Sequence, residues 1–437
     1  MKLTVVGGGS TYTPELVDGI AGRRTSLAVD EIALVDPDVA RLEVVGGFAR
    51  RLLEHAGHPA VVTTTSDLER GVDGASAVLL QLRVGGQAAR ASDEAFPLAC
   101  DCVGQETTGA GGLAKALRTV PVVLDIADRV RAVAGDDTWI VNFTNPVGIV
   151  TRALLAAGHR AVGLCNVAIT FQRWTSALLG VEPESVRLEH VGLNHLTWET
   201  GVFVDGVDRL PELLARHGDA LAEHIGLPAA LMRRLGMVPS YYLKYFYDHD
   251  EVVRKQKTEP SRAEVVAGVE KELLDLYGDV RVVTKPDLLS QRGGAYYSEA
   301  AVQLVHALTG GGSGGGFGGG GGGGFGGAEQ HVVNVRNGGT LPFLPDDAVI
   351  EVPAVVDDKG ASPLPVPPVP PSVSGLISHV TAYEHLALDA AVHGGRDRVA
   401  DALLAHPLIG QHAVAERLAD ELVARNADFL PWAKGTV

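Results

Sequence analysis

The chain is poor in sulfur, in aromatic residues and in positive charge. Its three cysteines, Cys100, Cys102 and Cys165, are too few for a disulfide framework in 437 residues, and any thiol among them works as a thiolate only while kept reduced. A cytoplasmic setting is therefore expected. Lys+Arg 37 against Asp+Glu 53 gives a net charge of -16 with no acidic tail, which argues against general affinity for nucleic acid. No uninterrupted apolar run approaches the roughly 18 residues of a membrane span. The opening MKLTVVGGGST breaks into glycines after a short apolar stretch, so neither secretion nor membrane insertion is expected. What the chain does have is 46% apolar and 21% charged residues, enough to bury the cores of two or three large modules.

The first part alternates short apolar strands with helical stretches, the pattern of a mostly parallel sheet covered by helices. LTVVG, EIALVD at Glu31 to Asp36, AVLLQL at Ala77 to Leu82, WIVNFTNP at Trp139 to Pro146 and RAVGLCN at Arg160 to Asn166 read as strands, and Ala40 to His55 as a helix. Each strand ends in small or polar residues, and in such sheets ligands occupy the crevice beyond the carboxyl ends. The turn Gly7-Gly8-Gly9-Ser10 lets a pyrophosphate approach a helix start. Gly7 and Gly9 match the first two glycines of a dinucleotide fingerprint, but Tyr12 occupies the third position. Asp36 ends the second strand 27 residues beyond Gly9; it can accept from an adenosine ribose and repels a 2'-phosphate, favouring NAD over NADP. The alternative is a glycine turn serving chain reversal only.

A second cluster gathers at strand ends: Asn142, Asn145 and Pro146 with Cys165 and Asn166, followed by Asn194 and His195 in VGLNHLTW. A thiolate and an imidazole can hold a divalent ion and leave positions open for substrate oxygens. On spacing alone, Cys165 reads first as a small buried hydrophobe and His195 as a hydrogen-bonded structural residue. No CxxC or histidine pair completes a structural metal site.

The chain resembles glycoside hydrolase family 4, in its 6-phospho-beta-glucosidase branch, over nearly its whole length. The resemblance rests on GGGSTYTPEL (7–16), LRVGGQAAR (82–90), GQETTGAGG (104–112), ALRTVP (116–121), NFTNP (142–146), GLCNVA (163–168) and GLNHLTW (192–198). RGGAYYSEAA (292–301), HVVNVRNGG (331–339) and GLISHVTAYEHLALDAAVHG (375–394) follow in order. It implies an α/β fold, with an N-terminal Rossmann-like NAD-binding domain (1–166) and a C-terminal mixed α+β substrate and metal-binding domain (167–437).

The resemblance further implies redox-assisted elimination in place of hydrolysis by two opposed carboxylates. NAD+ takes hydride from C3 of a 6-phosphorylated beta-glucoside, which acidifies C2; a tyrosinate removes the C2 proton; and a divalent metal, Mn2+ in the family's usual chemistry, polarises the C2 and C3 oxygens. The aglycone leaves, water adds, and hydride returns to C3. Carried over residue by residue, Gly7, Gly9, Ser10, Thr11 and Asp36 contact the cofactor, and Cys165 and His195 hold the metal. In VPSYYLKYFYD (238–248) the base is Tyr242, with Tyr241 the alternative one register away; without the resemblance these aromatics read as a helix packing face. Arg83, Arg90, Asn145, Asn166 and Arg292 contact substrate, Arg292 being the first choice for its phosphate, while Glu106, Thr107 and Thr108 shape the wall between cofactor and sugar. Asn166 beside the metal cysteine favours beta over alpha linkages. A homodimer or homotetramer is expected.

Three other readings stay open: a 6-phospho-alpha-glucosidase of the same family, an NAD-dependent 2-hydroxy-acid dehydrogenase, and a non-catalytic sugar-phosphate or dinucleotide sensor. In the C-terminal part, Tyr296 to Leu308 and Val380 to His393 are expected as helices. His331 to Val335 and Ala348 to Val352 are expected as strands flanking the turn at Asn337-Gly338-Gly339. From Gly310 to Gly327, 15 of 18 residues are glycine, a run costly to order and expected to be mobile. PLPVPPVPP (363–371) predicts an extended segment laid on a partner subunit or on the protein's own surface.

Overall fold

Short runs of Val, Ile, Leu and Ala become strands because helices cover both faces of the sheet they build. The structure is a computed structural model that describes residues 1–294, 296–310 and 329–434. Its strands are β1 (Lys2–Val6), β2 (Glu31–Val35), β3 (Val61–Thr65), β4 (Ala77–Leu80), β5 (Trp139–Asn142), β6 (Ala161–Gly163), β7 (Val186–Leu193), β8 (Leu196–Val204), β9 (Val207–Asp208), β10 (Val238–Pro239), β11 (Glu329–Arg336), β12 (Val349–Asp357) and β13 (Gly360–Pro363). Among the described residues they form one 13-stranded sheet in the order β10-β8-β7-β12-β11-β6-β5-β4-β1-β2-β3, with β9 on β8 and β13 on β12.

From β3 to β6 every pairing is parallel. The order β3-β2-β1-β4-β5-β6 is that of a doubly wound dinucleotide-binding sheet, whose crevice opens where the order reverses between β1 and β4. Past β6 the sheet turns antiparallel, because β11 joins it through Asn334 opposite Gly163 and leads on to β12, β7 and β8. The two halves of the chain therefore share one sheet, and residues near its middle come from both.

β3 is absent from the sequence reading for a physical reason. It is the edge strand beside β2, with Val61 at 60% exposure, so its VVTTT lacks the dense apolar run of the central strands. The helix expected at Val380 to His393 is longer, running Pro371–His393; its first residue is the last proline of the proline-rich segment, which is tolerated where the amide has no helical partner to lose. The preceding Val366 and Val369 pack on the protein's own core. Helix Tyr297–Leu308 and strands β11 and β12 fall near their expected places. Of the glycine-rich segment expected to be mobile, residues 311–327 lie outside the described residues. No described helix is long and apolar enough to cross a membrane.

Candidate active site

One cavity of about 810 Å³ lies at the carboxyl ends of β1, β2, β4 and β5, and its wall carries Gly7, Gly9, Ser10, Asp36, Arg83, Arg90, Asn145, Asn166, Tyr241, Tyr242 and Arg292. Thus 11 of the 14 residues expected in the site line a single space. Thr11 and His195 are one contact behind it through Arg292 and Tyr242, and Cys165 lies close enough for its charge to bear on both tyrosines.

At the first end, the glycine turn is packed too closely for side chains. Gly7 has φ +89°, and a Cβ on it would lie 2.7 Å from the Gln81 carbonyl oxygen. A Cβ on Gly8 would lie 2.8 Å from Leu34 Cβ and 2.9 Å from Val35 N. Gly8 thus supplies the close approach to the sheet for which the fingerprint reserves a later glycine, and Tyr12 is released for another use. Its hydroxyl donates to the Gly294 carbonyl and its ring packs edge-on against Tyr297, tying the turn to the far half of the chain. Asp36 fixes the turn itself, accepting from Gly9 N at 2.9 Å and Asp38 N at 3.0 Å. The Gly7 and Gly8 amides both donate to Val35 O at 2.9 Å. The turn therefore offers an anion the start of helix Thr13–Gly22, the Ser10 hydroxyl and the Arg292 guanidinium.

Arg292 stands at this turn, donating from Nε to Thr11 Oγ1 at 2.8 Å and pairing through Nη2 with Glu270 at 3.2 Å. Arg83 and Arg90 instead converge on Glu106: Arg83 is in direct contact, Lys115 Nζ is at 2.7 Å and Arg90 Nε at 3.4 Å. Burial pushes the Glu106 carboxyl upward, but Lys115, Arg83 and Arg90 outweigh it and hold it well below the ordinary range. Burial, reinforced by Arg83, lowers Lys115 to about 8. Arg90 also pairs with Glu94 at 2.8 Å, so three cations face two carboxylates and leave a surplus of positive charge in an acidic protein. Arg262 also lines this region and, with Lys115, is absent from the sequence expectation. Lys115 has a readable trace as the one charged residue in the apolar opening of helix Gly109–Ala134; Arg262, following an ordinary Ser261 helix cap, has none.

At the second end, β7 and β8 turn over Asn194 and His195, and His195 adopts φ +65°, a left-handed conformation costing a non-glycine residue roughly 1–2 kcal/mol. Its ring stacks on Tyr242 with centroids 3.6 Å apart, and its Nδ1 is 3.0 Å from Thr107 Oγ1. Burial lowers the imidazole to about 4, so it is neutral at pH 7; with its proton on Nδ1, Nε2 presents a lone pair. Burial, helped by the Glu351 charge, pushes the Cys165 thiol up. Burial likewise raises Tyr241 and Tyr242 and pushes Tyr245 to about 12. Tyr241 and Tyr242 sit in a single 3-10 turn, Tyr241–Leu243, not on a long helix face.

Among the described residues no group of three or more His, Cys, Asp or Glu side chains is arranged to hold an ion; Cys165 and His195 could hold one only with oxygens in the remaining positions. Asn145 Oδ1 is buried without a hydrogen-bond partner on the same cavity wall, where it awaits a donor. Asn166 lines the wall beside it and donates to Thr170 Oγ1 at 3.5 Å.

A doubly wound dinucleotide sheet extended by antiparallel strands, with a cation-rich pocket at its switch point and buried tyrosines beside a thiol and an imidazole, defines an α/β enzyme for a small anionic substrate. The model "Family 4 glycosyl hydrolase" matches residues 2–181, and "Family 4 glycosyl hydrolase C-terminal domain" matches 190–316 and 324–409. The chain belongs to glycosyl hydrolase family 4. It is 36% identical to the "Probable 6-phospho-beta-glucosidase" of Bacillus subtilis (strain 168), over 99% of this chain and 97% of that protein. It is 34% identical to the 6-phospho-beta-glucosidase of Escherichia coli (strain K12), over 99% and 96%. The solved 6-phospho-beta glucosidase from Thermotoga maritima with manganese, NAD+ and glucose-6-phosphate superimposes with TM-score 0.88 at 31% identity, covering 98% of this chain and 99% of that one.

Proposed function

We propose that the protein is a 6-phospho-beta-glucosidase that uses NAD+ and a divalent ion, Mn2+ in first place, to cleave a 6-phosphorylated beta-glucoside. The observation that carries this reading is the single cavity joining the glycine turn to Tyr241 and Tyr242, in a chain similar over its whole length to the Thermotoga maritima enzyme. When bound, NAD+ supplies a hydride acceptor for C3 and the ion a Lewis acid for the C2 and C3 oxygens. The cycle is C3 oxidation, C2 deprotonation, loss of the aglycone from C1, water addition and C3 re-reduction, with no net redox change.

The chain's own groups divide the work. Cys165 and His195 hold the ion, and Thr107 orients the imidazole. Tyr242 takes the C2 proton, with Tyr241 as the alternative; burial raises both phenols, so ionisation at neutral pH depends on a cation alongside. Asn145 Oδ1 accepts from a sugar hydroxyl, and Asn166 flanks it. Arg83 and Arg90 receive the 6-phosphate, which meets the positive surplus around Glu106. Arg292 bridges the phosphate region and the cofactor turn, where Gly7, Gly9, Ser10, Thr11 and Asp36 form the cofactor contact. Asn166 beside Cys165 favours the beta over the alpha linkage. A working thiolate requires a reducing, cytoplasmic compartment, and the family resemblance supports a homodimer or homotetramer.

The test is an assay of reduced protein with NAD+ and Mn2+ on p-nitrophenyl beta-glucoside 6-phosphate, its unphosphorylated form and its alpha-linked form. Release of nitrophenol from the first alone, without accumulation of free NADH, is expected. Stoichiometric NADH from a 2-hydroxy acid would assign the dehydrogenase reading, and turnover of the alpha form alone would assign the other branch.

A further inference from the structure

Behind the Cys165 and His195 region runs a buried polar chain to which the proposed reaction gives no role. His190 on β7 is fully enclosed; its Nδ1 meets Glu199 Oε1 at 2.7 Å and its Nε2 meets Glu351 Oε1 at 3.1 Å. The other oxygen of Glu351 accepts from Asn194 Nδ2 at 3.0 Å and from Asn334 Nδ2 at 2.9 Å. Asn194 directly precedes His195 in the turn that joins β7 to β8, and Glu351 lies within electrostatic reach of Cys165. The sheet makes this chain: His190 lies opposite Glu199 in the β7–β8 pair, Glu351 of β12 opposite Gly192 of β7 and opposite Asn334 of β11, and Asn334 opposite Gly163 of β6, two residues before Cys165. Five strands from both halves of the protein thus meet around this polar chain.

We infer that Glu351 is a positioning residue for the Cys165 and His195 pair: clamped by His190, its carboxylate holds the side chain of Asn194, the residue before His195, and sets a negative charge behind the pair. The inference rests on the metal-ligand reading of Cys165 and His195. Stability alone is a poor reason to keep such a chain, because buried ion pairs are often matched or surpassed by apolar packing of the same volume. This chain ends on the turn that carries His195 and not in the core, and outer-sphere partners of this kind orient and tune metal ligands. Burial opposes the charge on His190, but Glu199 and Glu351 outweigh it and push the imidazole to about 10, so His190 is cationic at neutral pH. Burial is outweighed at Glu351 as well, where His190, Asn194 and Asn334 hold the carboxyl low.

The test measures Mn2+ affinity by electron paramagnetic resonance of the free ion, NAD+ affinity by fluorescence, and the alkylation rate of Cys165 by mass spectrometry in the metal-free protein. These are compared for the wild type, Cys165→Ser, Glu351→Gln and Asn194→Ser. Glu351→Gln and Asn194→Ser are expected to weaken Mn2+ binding by about 10–100-fold and to change the Cys165 alkylation rate, with NAD+ affinity unchanged. Wild-type Mn2+ affinity in Glu351→Gln and Asn194→Ser, alongside its loss in Cys165→Ser, overturns the inference and leaves the ligand reading standing. Wild-type affinity in Cys165→Ser overturns the ligand reading itself. Equal losses of Mn2+ and NAD+ affinity mark general damage and also overturn the inference; should Glu351→Gln fail to fold, Asn194→Ser decides by the same criteria.

Discussion

Neutralising Glu106 probes the pocket most directly, because three cations share its carboxylate. Lys115 Nζ lies at 2.7 Å, Arg90 Nε at 3.4 Å and Arg83 in direct contact. Glu106→Gln keeps the shape but leaves an amide whose own N–H groups face positive charge. Removing one partner of a buried ion pair costs about 3–5 kcal/mol. Arg83, with 27% of its side chain exposed, can relax toward water, whereas Lys115 at 4% cannot, so the lower end, about 3 kcal/mol, applies. Unfolding entropy of about 2.1 cal/mol/K per residue over 437 residues amounts to roughly 0.9 kcal/mol/K. Scanning calorimetry should therefore record a Tm about 3 °C lower. A second readout runs the other way: the added positive charge strengthens the pocket's hold on an anion, so glucose 6-phosphate should raise the variant's Tm by more than it raises the wild type's. An unchanged Tm together with an unchanged response to glucose 6-phosphate would show that these four groups are not coupled as the distances indicate, and would remove the physical basis for placing the sugar phosphate beside Arg83 and Arg90.

Tyr242→Phe is expected to abolish exchange of the C2 proton, followed as deuterium loss by NMR, while NAD+ still binds; unchanged exchange would transfer the role to Tyr241. Gly8→Ala drives a methyl to 2.8 Å from Leu34 Cβ and 2.9 Å from Val35 N, so it should cost about 1–3 kcal/mol of stability and weaken NAD+ binding; an unaltered urea midpoint would contradict the packing described. His190 has a folded pKa of about 10 against roughly 6.5 unfolded. Because it is raised, its contribution is fully present below about 6.5 and lost as pH rises through about 10, so the urea midpoint should fall over that window in the wild type and fall less in His190→Gln, whereas parallel profiles would refute the charged trio.

The parts of the fold that could be read in advance are those whose signal is local. β1, β2, β4 and β5 are apolar runs buried on both faces, and their ends carry Gly7, Asp36, Arg83 and Asn145 in short motifs that fall together once the strands lie parallel. β3 and the β7–β8 turn were not legible as elements, the first because an edge strand keeps no dense apolar pattern, the second because φ +65° at His195 is a property of the fold around it. Arg292 shows the limit from another side. Its motif marked it as functional, yet whether it would stand with Arg83 at Glu106 or with Thr11 and Glu270 at the turn depends on partners 281 and 22 residues away. The supports are the most hidden of all. Glu351 meets Asn194 across 157 residues and His190 across 161, and in sequence it stands inside VIEVPAVV as one acid in an apolar run, where the local pattern marks it as a defect. Only strand register turns that defect into a contact. Motifs at strand ends therefore disclose the groups that line the cavity, because those groups sit in the loops a parallel sheet leaves free, while the groups packed behind them lie within the strands and become visible only when the pairing is known.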